Sequence, residues 1–156
     1  MFRIFTLCYI QKENQTLMLL RNKKDNDYHK AKWNGVGGKF ELNESPEDCM
    51  QREILEETGL IVKKYNYNGL LTFPNFYGDG KTTFCFVYRI TEFEGELIDS
   101  NEGQLSWIDN DKLLDLNLWG GDKVFLPWVL ENKIFSAKLN YKNKEFVDYS
   151  VDFYPR

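Results

Sequence analysis

Histidine and cysteine are scarce in this chain of 156 residues. His29 is the only histidine, and the three cysteines, Cys8, Cys49 and Cys85, lie far apart in the sequence. No Cys-x-x-Cys pair occurs, so the sequence predicts neither a zinc site nor a disulfide framework. Free thiols are typical of proteins in a reducing cytosol.

Long apolar runs and an excess of basic charge are also absent. No apolar stretch approaches the roughly 20 residues that a membrane-spanning helix needs, and residues 1–10 have the pattern of a first strand without the cleavage site of a signal peptide. The chain has 20 Lys and Arg residues against 24 Asp and Glu residues, for a net charge of −4. A polymeric nucleic-acid partner calls for a basic surface. We therefore expect a cytoplasmic monomer that binds neither a membrane nor a nucleic-acid polymer.

Aromatic residues, in contrast, are plentiful: 12 Phe, 9 Tyr and 4 Trp make up 16% of the chain. Such rings can line a pocket for a flat ligand, although most aromatic side chains in proteins fill the core. Hydrophobic residues make up 42% of the sequence and charged residues 28%, which is ordinary for a globular protein. The length matches one domain, so we predict a single domain over residues 1–156.

The distribution of apolar residues and turn residues predicts a mixed fold. The predicted strands cover residues 2–10, 17–20, 61–75, 82–91, 105–108, 134–140 and 146–153. The predicted helices cover residues 46–58, 112–116 and 123–131. Because strands come first, then one helix, then further strands and a late helix, the predicted fold class is α/β in the mixed, α+β sense.

The helix over residues 46–58 has the clearest signals in the chain. Ser45 is a good N-cap, Asp48 three residues later completes a capping-box pattern, and Gly59 is placed to end the helix. Four residues on one side of this helix are expected to face the core: Met50, Ile54, Leu55 and Thr58. The sequence therefore predicts both the length of this helix and the side that it buries.

Acidic residues cluster on a second side of the same helix. Glu53, Glu56 and Glu57 follow at i, i+3 and i+4, and Glu44 lies just before the helix. Two unit charges about 4 Å apart at an effective dielectric constant of about 20 repel by about 4 kcal/mol, so the cluster favours a bound cation. Oxygen ligands select a hard ion such as Mg²⁺ or Mn²⁺. The spacing alone is more often that of a solvated face, on which Arg52 and Glu56 form a surface pair.

These residues belong to a longer motif over residues 38–60. In order, it consists of Gly38, five residues, Glu44, seven residues, Arg52-Glu53-Ile54, one residue, Glu56-Glu57, one residue and Gly59-Leu60. This pattern matches the signature of the Nudix hydrolases at every fixed position, and the chain therefore resembles that family. The resemblance implies an α/β/α sandwich with a mixed β-sheet, in which the motif forms a loop-helix-loop that holds a divalent metal against a diphosphate.

The resemblance also implies roles for the motif residues. The expected metal ligands are the Gly38 carbonyl, Glu53, Glu56, Glu57 and Glu102. The expected metal is Mg²⁺, with Mn²⁺ as an alternative, and it would activate a water that attacks a phosphorus of a nucleoside diphosphate linked to a further group. Arg52 is expected to orient a glutamate by a charge-assisted hydrogen bond. Glu56 is the expected general base, with Glu102 as its rival.

Residues outside the motif resemble the MutT-type oxidised purine nucleoside triphosphatases within that family. The substrate-binding residues that this resemblance implies are Thr6, Lys23, Tyr28, Asn34, Gly37, Lys39, Phe73, Trp119 and Asp122. Asn34 would hydrogen-bond the purine edge, Trp119 would stack on the base and Asp122 would bind its Watson–Crick edge. On their own, Phe73 and Trp119 are as readily ordinary core aromatics, and Asn34 is as readily a loop cap.

The sequence after Trp119 departs from these enzymes at one position. They have two adjacent aspartates there, whereas this chain has Gly121 before Asp122. Base discrimination by proton exchange between paired aspartates would therefore be lost here, or supplied by other residues.

The sequence as a whole predicts a Mg²⁺-dependent pyrophosphohydrolase of small-molecule nucleotides. It would convert an ordinary or oxidised purine (d)NTP, such as 8-oxo-dGTP, to the monophosphate and diphosphate. One alternative is a Nudix hydrolase of ADP-ribose, a dinucleoside polyphosphate or a nucleotide sugar, which would release a different product. The other is a non-catalytic module that senses a nucleotide, and the intact motif glutamates disfavour it.

Overall fold

The computed structural model describes residues 1–156, which form eight strands, two α-helices and one 3₁₀ helix. The strands are β1 (Phe2–Lys12), β2 (Gln15–Leu20), β3 (Trp33–Asn34), β4 (Ile61–Pro74), β5 (Thr82–Glu94), β6 (Gln104–Asp109), β7 (Ile134–Lys142) and β8 (Glu145–Tyr154). The helices are α1 (Pro46–Thr58) and α2 (Asp122–Leu130), with a 3₁₀ helix over Asn110–Asp115. The predicted strands and helices are all present, except that the segment predicted as a helix over 112–116 is 3₁₀, and β3 is an addition.

All eight strands form one mixed sheet. The order is β3-β2-β1-β5-β4-β7-β8, and β6 lies outside this order and pairs with β2. The β1–β5 and β4–β7 pairs are parallel, and the remaining pairs are antiparallel. Because β1 and β5 are distant in sequence, their parallel pairing requires a crossover, and α1 lies in that connection.

The two helices cover opposite faces of the sheet. Side chains alternate along a strand, and in β1 Cys8 packs in a cluster with Met50 and Ile54 of α1. The next residue of β1, Tyr9, points to the opposite face and packs with Phe125 of α2. The fold is therefore an α/β/α sandwich with a mixed sheet, as the resemblance implies.

The ends of α1 follow their sequence signals. The Ser45 hydroxyl accepts from the Asp48 amide at 3.0 Å, the Asp48 carboxylate accepts from the Ser45 amide at 3.1 Å, and Gly59 closes the helix at φ +80°. The expectation for Leu55 is wrong, because its side chain is exposed, whereas Cys49 is fully buried. At about 100° per residue Leu55 lies about 140° around the helix from Met50, beyond the buried stripe.

Residues 36–40 extend the sheet along β1 and so place the start of the motif. The Thr6 amide donates to the Gly38 carbonyl at 2.9 Å, and Cys8 and Val36 exchange backbone hydrogen bonds at 2.6 and 2.9 Å. A side chain at Gly37 would overlap the Thr6 carbonyl, so this close pairing requires glycine there. The loop that leads into α1 is therefore held to the centre of the sheet.

None of the helices combines the length and the apolar character that crossing a membrane would require.

Candidate active site

Two of the motif glutamates lie on the inner side of α1. Glu53 and Glu57 are separated by about 40° around the helix, and both line a cavity that is also lined by residues of the central strands β1 and β5. The Glu53 side chain is only 13% exposed, whereas that of Glu56, which points away from the cavity, is 57% exposed. The three glutamates therefore differ in their surroundings although their spacing puts them on adjacent parts of one helix.

Arg52 holds the acidic residues around it in place. Its Nε and Nη2 donate to the two oxygens of Glu44 at 2.6 and 3.0 Å, which is the bidentate geometry typical of strong Arg–carboxylate pairs. Its Nη1 donates to Glu53 at 2.8 Å and to Glu56 at 3.2 Å. The hydrogen bond from Arg52 lowers the pKa of Glu44 below its usual value. Arg52 thus contacts three glutamates and binds Glu44 most closely.

Burial raises the pKa of both inner carboxylates. Desolvation raises the pKa of Glu53, against the opposing effect of Arg52. Desolvation also raises the pKa of Glu57, and the nearby Glu102 charge adds to this rise. The Ser100 hydroxyl, which donates to this carboxylate at 2.9 Å, opposes it. Half-buried anions of this kind are stabilised when a cation binds between them.

The donor set of this region fits a hard divalent cation. Glu53, Glu57, Glu102 and Gly38 all line the same cavity. Carboxylate and carbonyl oxygens are the ligands that Mg²⁺ and Mn²⁺ prefer, and the Gly38 carbonyl also accepts from the Thr6 amide at 2.9 Å. A side chain at Gly38 would overlap the Glu53 carboxylate, so glycine keeps this space open. As the side chains stand, no three acidic, histidine or cysteine groups converge on one point. Arg52 and Ser100 hold the carboxylates in this arrangement.

One cavity of about 440 Å³ connects these carboxylates to an aromatic recess. The predicted site residues that line it are Thr6, Asn34, Gly37, Gly38, Lys39, Glu53, Glu57, Phe73, Glu102, Trp119 and Asp122. Its volume is within the range of pockets for small molecules. The cavity therefore has a charged end at α1 and an aromatic end at the start of α2.

Trp119 forms a wall of the aromatic end. Its ring lies 5.9 Å from that of Tyr28 in a stacked arrangement and 4.9 Å from that of Phe76 in an edge arrangement. The indole Nε1 donates to the His29 Nδ1 at 2.8 Å. Trp119 thus belongs both to the cavity lining and to the aromatic cluster behind it.

Asp122 is buried at the aromatic end and accepts no hydrogen bond from a neighbouring side chain. It begins α2, is 7% exposed and lines the cavity. Desolvation raises the pKa of Asp122 to about 7, with a smaller opposing effect from Lys32. Near neutral pH this carboxyl group is therefore available both as a donor and as an acceptor for a ligand.

The hydroxyl of Tyr141 lies against the backbone of Gly121. The Gly121 amide donates to the Tyr141 Oη at 2.7 Å, and a side chain at Gly121 would come within 2.7 Å of the same oxygen. Tyr141 also lines the cavity. The space that a side chain at position 121 would need is therefore occupied by a tyrosine hydroxyl.

Four predicted site residues lie outside the cavity lining: Lys23, Tyr28, Arg52 and Glu56. Lys23 pairs instead with Asp99 at 2.7 Å and donates to the Ser100 carbonyl at 2.5 Å. Tyr28 supports Trp119 from behind. These residues border or support the cavity and do not form its surface.

Sequence reasoning missed several residues that line the cavity. The polar and aromatic ones are Phe5, Arg21, His29, Phe76, Tyr77, Thr83, Cys85 and Tyr141. They come from separate loops and strands, and no spacing rule connects them. The high aromatic content was the only available signal, because it favoured a pocket for a flat ligand without saying which rings form it.

Comparisons with known proteins agree with this architecture. A family model described as NUDIX domain matches residues 1–129. The oxidized purine nucleoside triphosphate hydrolase of Danio rerio is 28% identical over 151 residues, covering 96% of this chain and 94% of the relative, and the Mus musculus protein of that name is 26% identical, covering 93% and 90%. The crystal structure of a MutT protein from Bacillus halodurans matches with a TM-score of 0.84 and 30% identity, covering 96% of this chain and 97% of that one. The chain belongs to the Nudix family.

Proposed function

We propose that this Nudix hydrolase is a Mg²⁺-dependent pyrophosphohydrolase of purine nucleoside triphosphates. Its substrates would include oxidised purine (d)NTPs such as 8-oxo-dGTP, and its products the monophosphate and diphosphate. The observation that carries the proposal is the continuity of the cavity, which joins the acidic residues of α1 to a recess lined by Asn34, Trp119 and Asp122. The names of the vertebrate relatives and of the MutT structure support the same substrate class.

The charged end of the cavity would hold the metal and the phosphates. Glu53 and Glu57, with Glu56, Glu102 and the Gly38 carbonyl around them, are the proposed ligands. When bound, Mg²⁺ or Mn²⁺ would neutralise phosphate charge and lower the pKa of the attacking water. Arg21 and Lys39 also line the cavity and would bind phosphate oxygens.

Water that attacks a phosphorus must lose a proton to a base. Glu56 is the proposed general base because the resemblance of the motif to the Nudix signature implies that role. Glu102 is the alternative, and one observation favours it: this carboxylate lines the cavity, where the Arg21 Nη2 lies 3.4 Å and the Lys24 Nζ 2.9 Å from its oxygens.

The aromatic end would bind the base. Trp119 offers a flat apolar surface for stacking, and the Asn34 amide offers both a donor and an acceptor. Asp122 would read a base edge in either protonation state, since burial brings its pKa to about 7. Phe73, Thr6 and Gly37 would form the walls and floor, while Tyr28 supports Trp119 and Lys23 stays at the periphery. This arrangement suits a purine, whose two rings fill a recess of this kind.

The proposal also concerns the setting in which the enzyme works. We expect it to act as a monomer on small-molecule nucleotides in the cytoplasm. Three free cysteines fit a reducing compartment.

A product assay tests the proposed function. Purified protein is incubated with Mg²⁺ and 8-oxo-dGTP, 2-hydroxy-dATP, dGTP or dATP, and the release of diphosphate is compared with that of orthophosphate. The proposal expects diphosphate, with the highest kcat/KM for an oxidised purine. ADP-ribose serves as the competing substrate. Cleavage of ADP-ribose alone, or equal activity on every triphosphate, would contradict the substrate assignment and leave the metal site in place.

A further inference from the structure

His29 lies at the centre of the aromatic cluster that backs the cavity. Its ring centroid is 5.5 Å from that of Trp119, 5.8 Å from that of Tyr77 and 5.9 Å from that of Phe76. The imidazole also lines the cavity. The only histidine of the chain is thus enclosed by rings that come from the β4–β5 turn and from the residues before α2.

The hydrogen bonds of His29 define one tautomer. An indole nitrogen can only donate, so the Nδ1 that receives the Trp119 hydrogen bond at 2.8 Å carries no proton. The proton of the neutral ring therefore lies on Nε2, which is 2.9 Å from the Tyr77 Oη and donates to it. Burial, with the Arg21 charge as a further cause, lowers the pKa of His29 to about 4, which agrees with a neutral imidazole.

Trp119 has no other hydrogen-bonding partner for its buried indole N–H. It is 5% exposed and packs against Tyr28 and Phe76, which limit how far the ring can move. A buried indole N–H that loses its acceptor loses the free energy of that contact. The His29 acceptor therefore adds a directional constraint that selects one orientation of the packed indole.

We propose that His29 is a positioning residue that fixes the Trp119 indole in the orientation that receives a planar base. This inference rests on the proposed function, since it assumes that Trp119 stacks on the base of the substrate. His29 would contribute to the affinity for the base and leave the chemistry at the phosphates unchanged. Its loss would thus raise KM and spare kcat.

The matched variants are His29→Asn and His29→Leu. Asn places an oxygen at the δ position, where it can accept from the Trp119 indole, whereas Leu has the same shape and cannot accept. We expect His29→Leu to raise KM for the preferred triphosphate about tenfold with kcat almost unchanged, which corresponds to the loss of one hydrogen bond. His29→Asn should stay within about threefold of the wild type by the same reasoning.

A second readout follows the hydrogen bond without relying on activity. The indole ¹H–¹⁵N resonance of Trp119, assigned by its absence in Trp119→Phe, should shift in His29→Leu and remain near its wild-type position in His29→Asn. Tyr77→Phe removes only the acceptor for Nε2 and should leave that resonance in place. Thermal melting reports whether each variant is folded.

Equal KM values for the Asn and Leu variants in folded protein would overturn the inference, as would an unmoved Trp119 resonance in His29→Leu. Failure of the proposed function has a different signature, because the wild type would then release no diphosphate from any triphosphate. In that case the NMR comparison still tests the hydrogen bond, and binding of the nucleoside monophosphate without metal, measured by calorimetry, tests the positioning role.

Discussion

The two ends of the cavity are built in opposite ways. At the charged end, Arg52 contacts Glu44, Glu53 and Glu56 in one charge-assisted network. At the aromatic end, single neutral contacts hold the important groups, such as the bond between Trp119 and His29. Most groups of the charged end come from α1 and the segment before it, with Glu102 and Arg21 added from elsewhere, whereas the aromatic end is built entirely from distant segments. Substitutions should therefore abolish chemistry at the first end and alter affinity and stability at the second.

Glu56→Gln gives the largest effect that this comparison predicts. Loss of a general base typically costs 10²- to 10⁴-fold in rate, so we expect kcat with Mg²⁺ to fall by about 10³-fold while the melting temperature stays nearly constant, because the side chain is exposed. Glu102→Gln is measured beside it. Glu92→Gln, an exposed carboxylate that pairs with Lys64, is the matched control and should keep full activity.

If Glu56→Gln retained wild-type kcat and Glu102→Gln lost it, the base would lie on the cavity wall. The base would then line the cavity together with the proposed metal ligands Glu53 and Glu57, and the exposed Glu56 would have no part in the chemistry.

Asp122→Asn should change how stability depends on pH. A pKa of about 7 in the folded protein lies above the unfolded value near 4, so the folded state binds more protons between about pH 4 and pH 7. The stability contributed by protonated Asp122 is therefore complete below about pH 4 and is lost as the pH rises towards 7. Burial sets an upper limit of about 4 kcal/mol on this loss.

Urea unfolding of the wild type and of Asp122→Asn at pH 5, 6, 7 and 8 checks this prediction. The variant should gain stability relative to the wild type as the pH rises. His29, whose depressed pKa acts in the opposite direction, is present in both proteins, so its contribution cancels in the difference. A constant difference across this range would mean that Asp122 is ionised in the folded protein.

Trp119→Ala compares affinity with packing at the aromatic end. Base–aromatic stacking contributes about 1–3 kcal/mol, so KM for the triphosphate should rise by about tenfold or more with kcat nearly unchanged. The melting temperature should also fall, because Trp119 is buried in the aromatic cluster. Steady-state kinetics well below the melting temperature separates the two effects. An unchanged KM with a large drop in melting temperature would make Trp119 a core residue only.

Ser100→Ala should have the smallest effect. The buried Ser100 hydroxyl donates to Glu57 at 2.9 Å and accepts from the Glu102 amide at 3.2 Å, so it links two cavity carboxylates. Losing one hydrogen bond to a charged group costs about 1.5 kcal/mol, and we expect kcat/KM to fall by about tenfold. Ser106→Ala in β6 is the control. Wild-type kcat/KM in Ser100→Ala would show that the network at the charged end tolerates the loss of this link.

The sequence was most informative where structure is local. The bounds of α1 follow from its caps and from one apolar side, and they were predicted to the residue. The same periodicity identified Glu53 and Glu57, because helical spacing converts sequence distance directly into spatial distance. It failed for Leu55, because the predicted buried side was displaced around the helix, so that it included the exposed Leu55 and missed the buried Cys49.

The aromatic end was less accessible to sequence reasoning. His29 is 48 residues from Tyr77 and 90 residues from Trp119, and only the sheet topology brings them together. Arg21 and Tyr141 reach the cavity from two further segments. A pattern in one sequence does not encode such pairings, because each depends on how the strands between them are ordered.

The backbone pairing of residues 36–40 with β1 has a consequence for how this enzyme can diversify. The hydrogen bonds at Thr6 and Cys8 fix the register of the segment that leads into α1, so an insertion or deletion there would displace the proposed metal ligands that follow. The preceding loop, residues 21–32, carries no strand or helix; its first part contacts Glu102 through Arg21 and Lys24, and a later residue, His29, lines the opposite end of the cavity. Beyond Lys24, changes in this loop would leave the α1 glutamates in place. We therefore expect that evolution or design can alter the preferred base through this part of the loop.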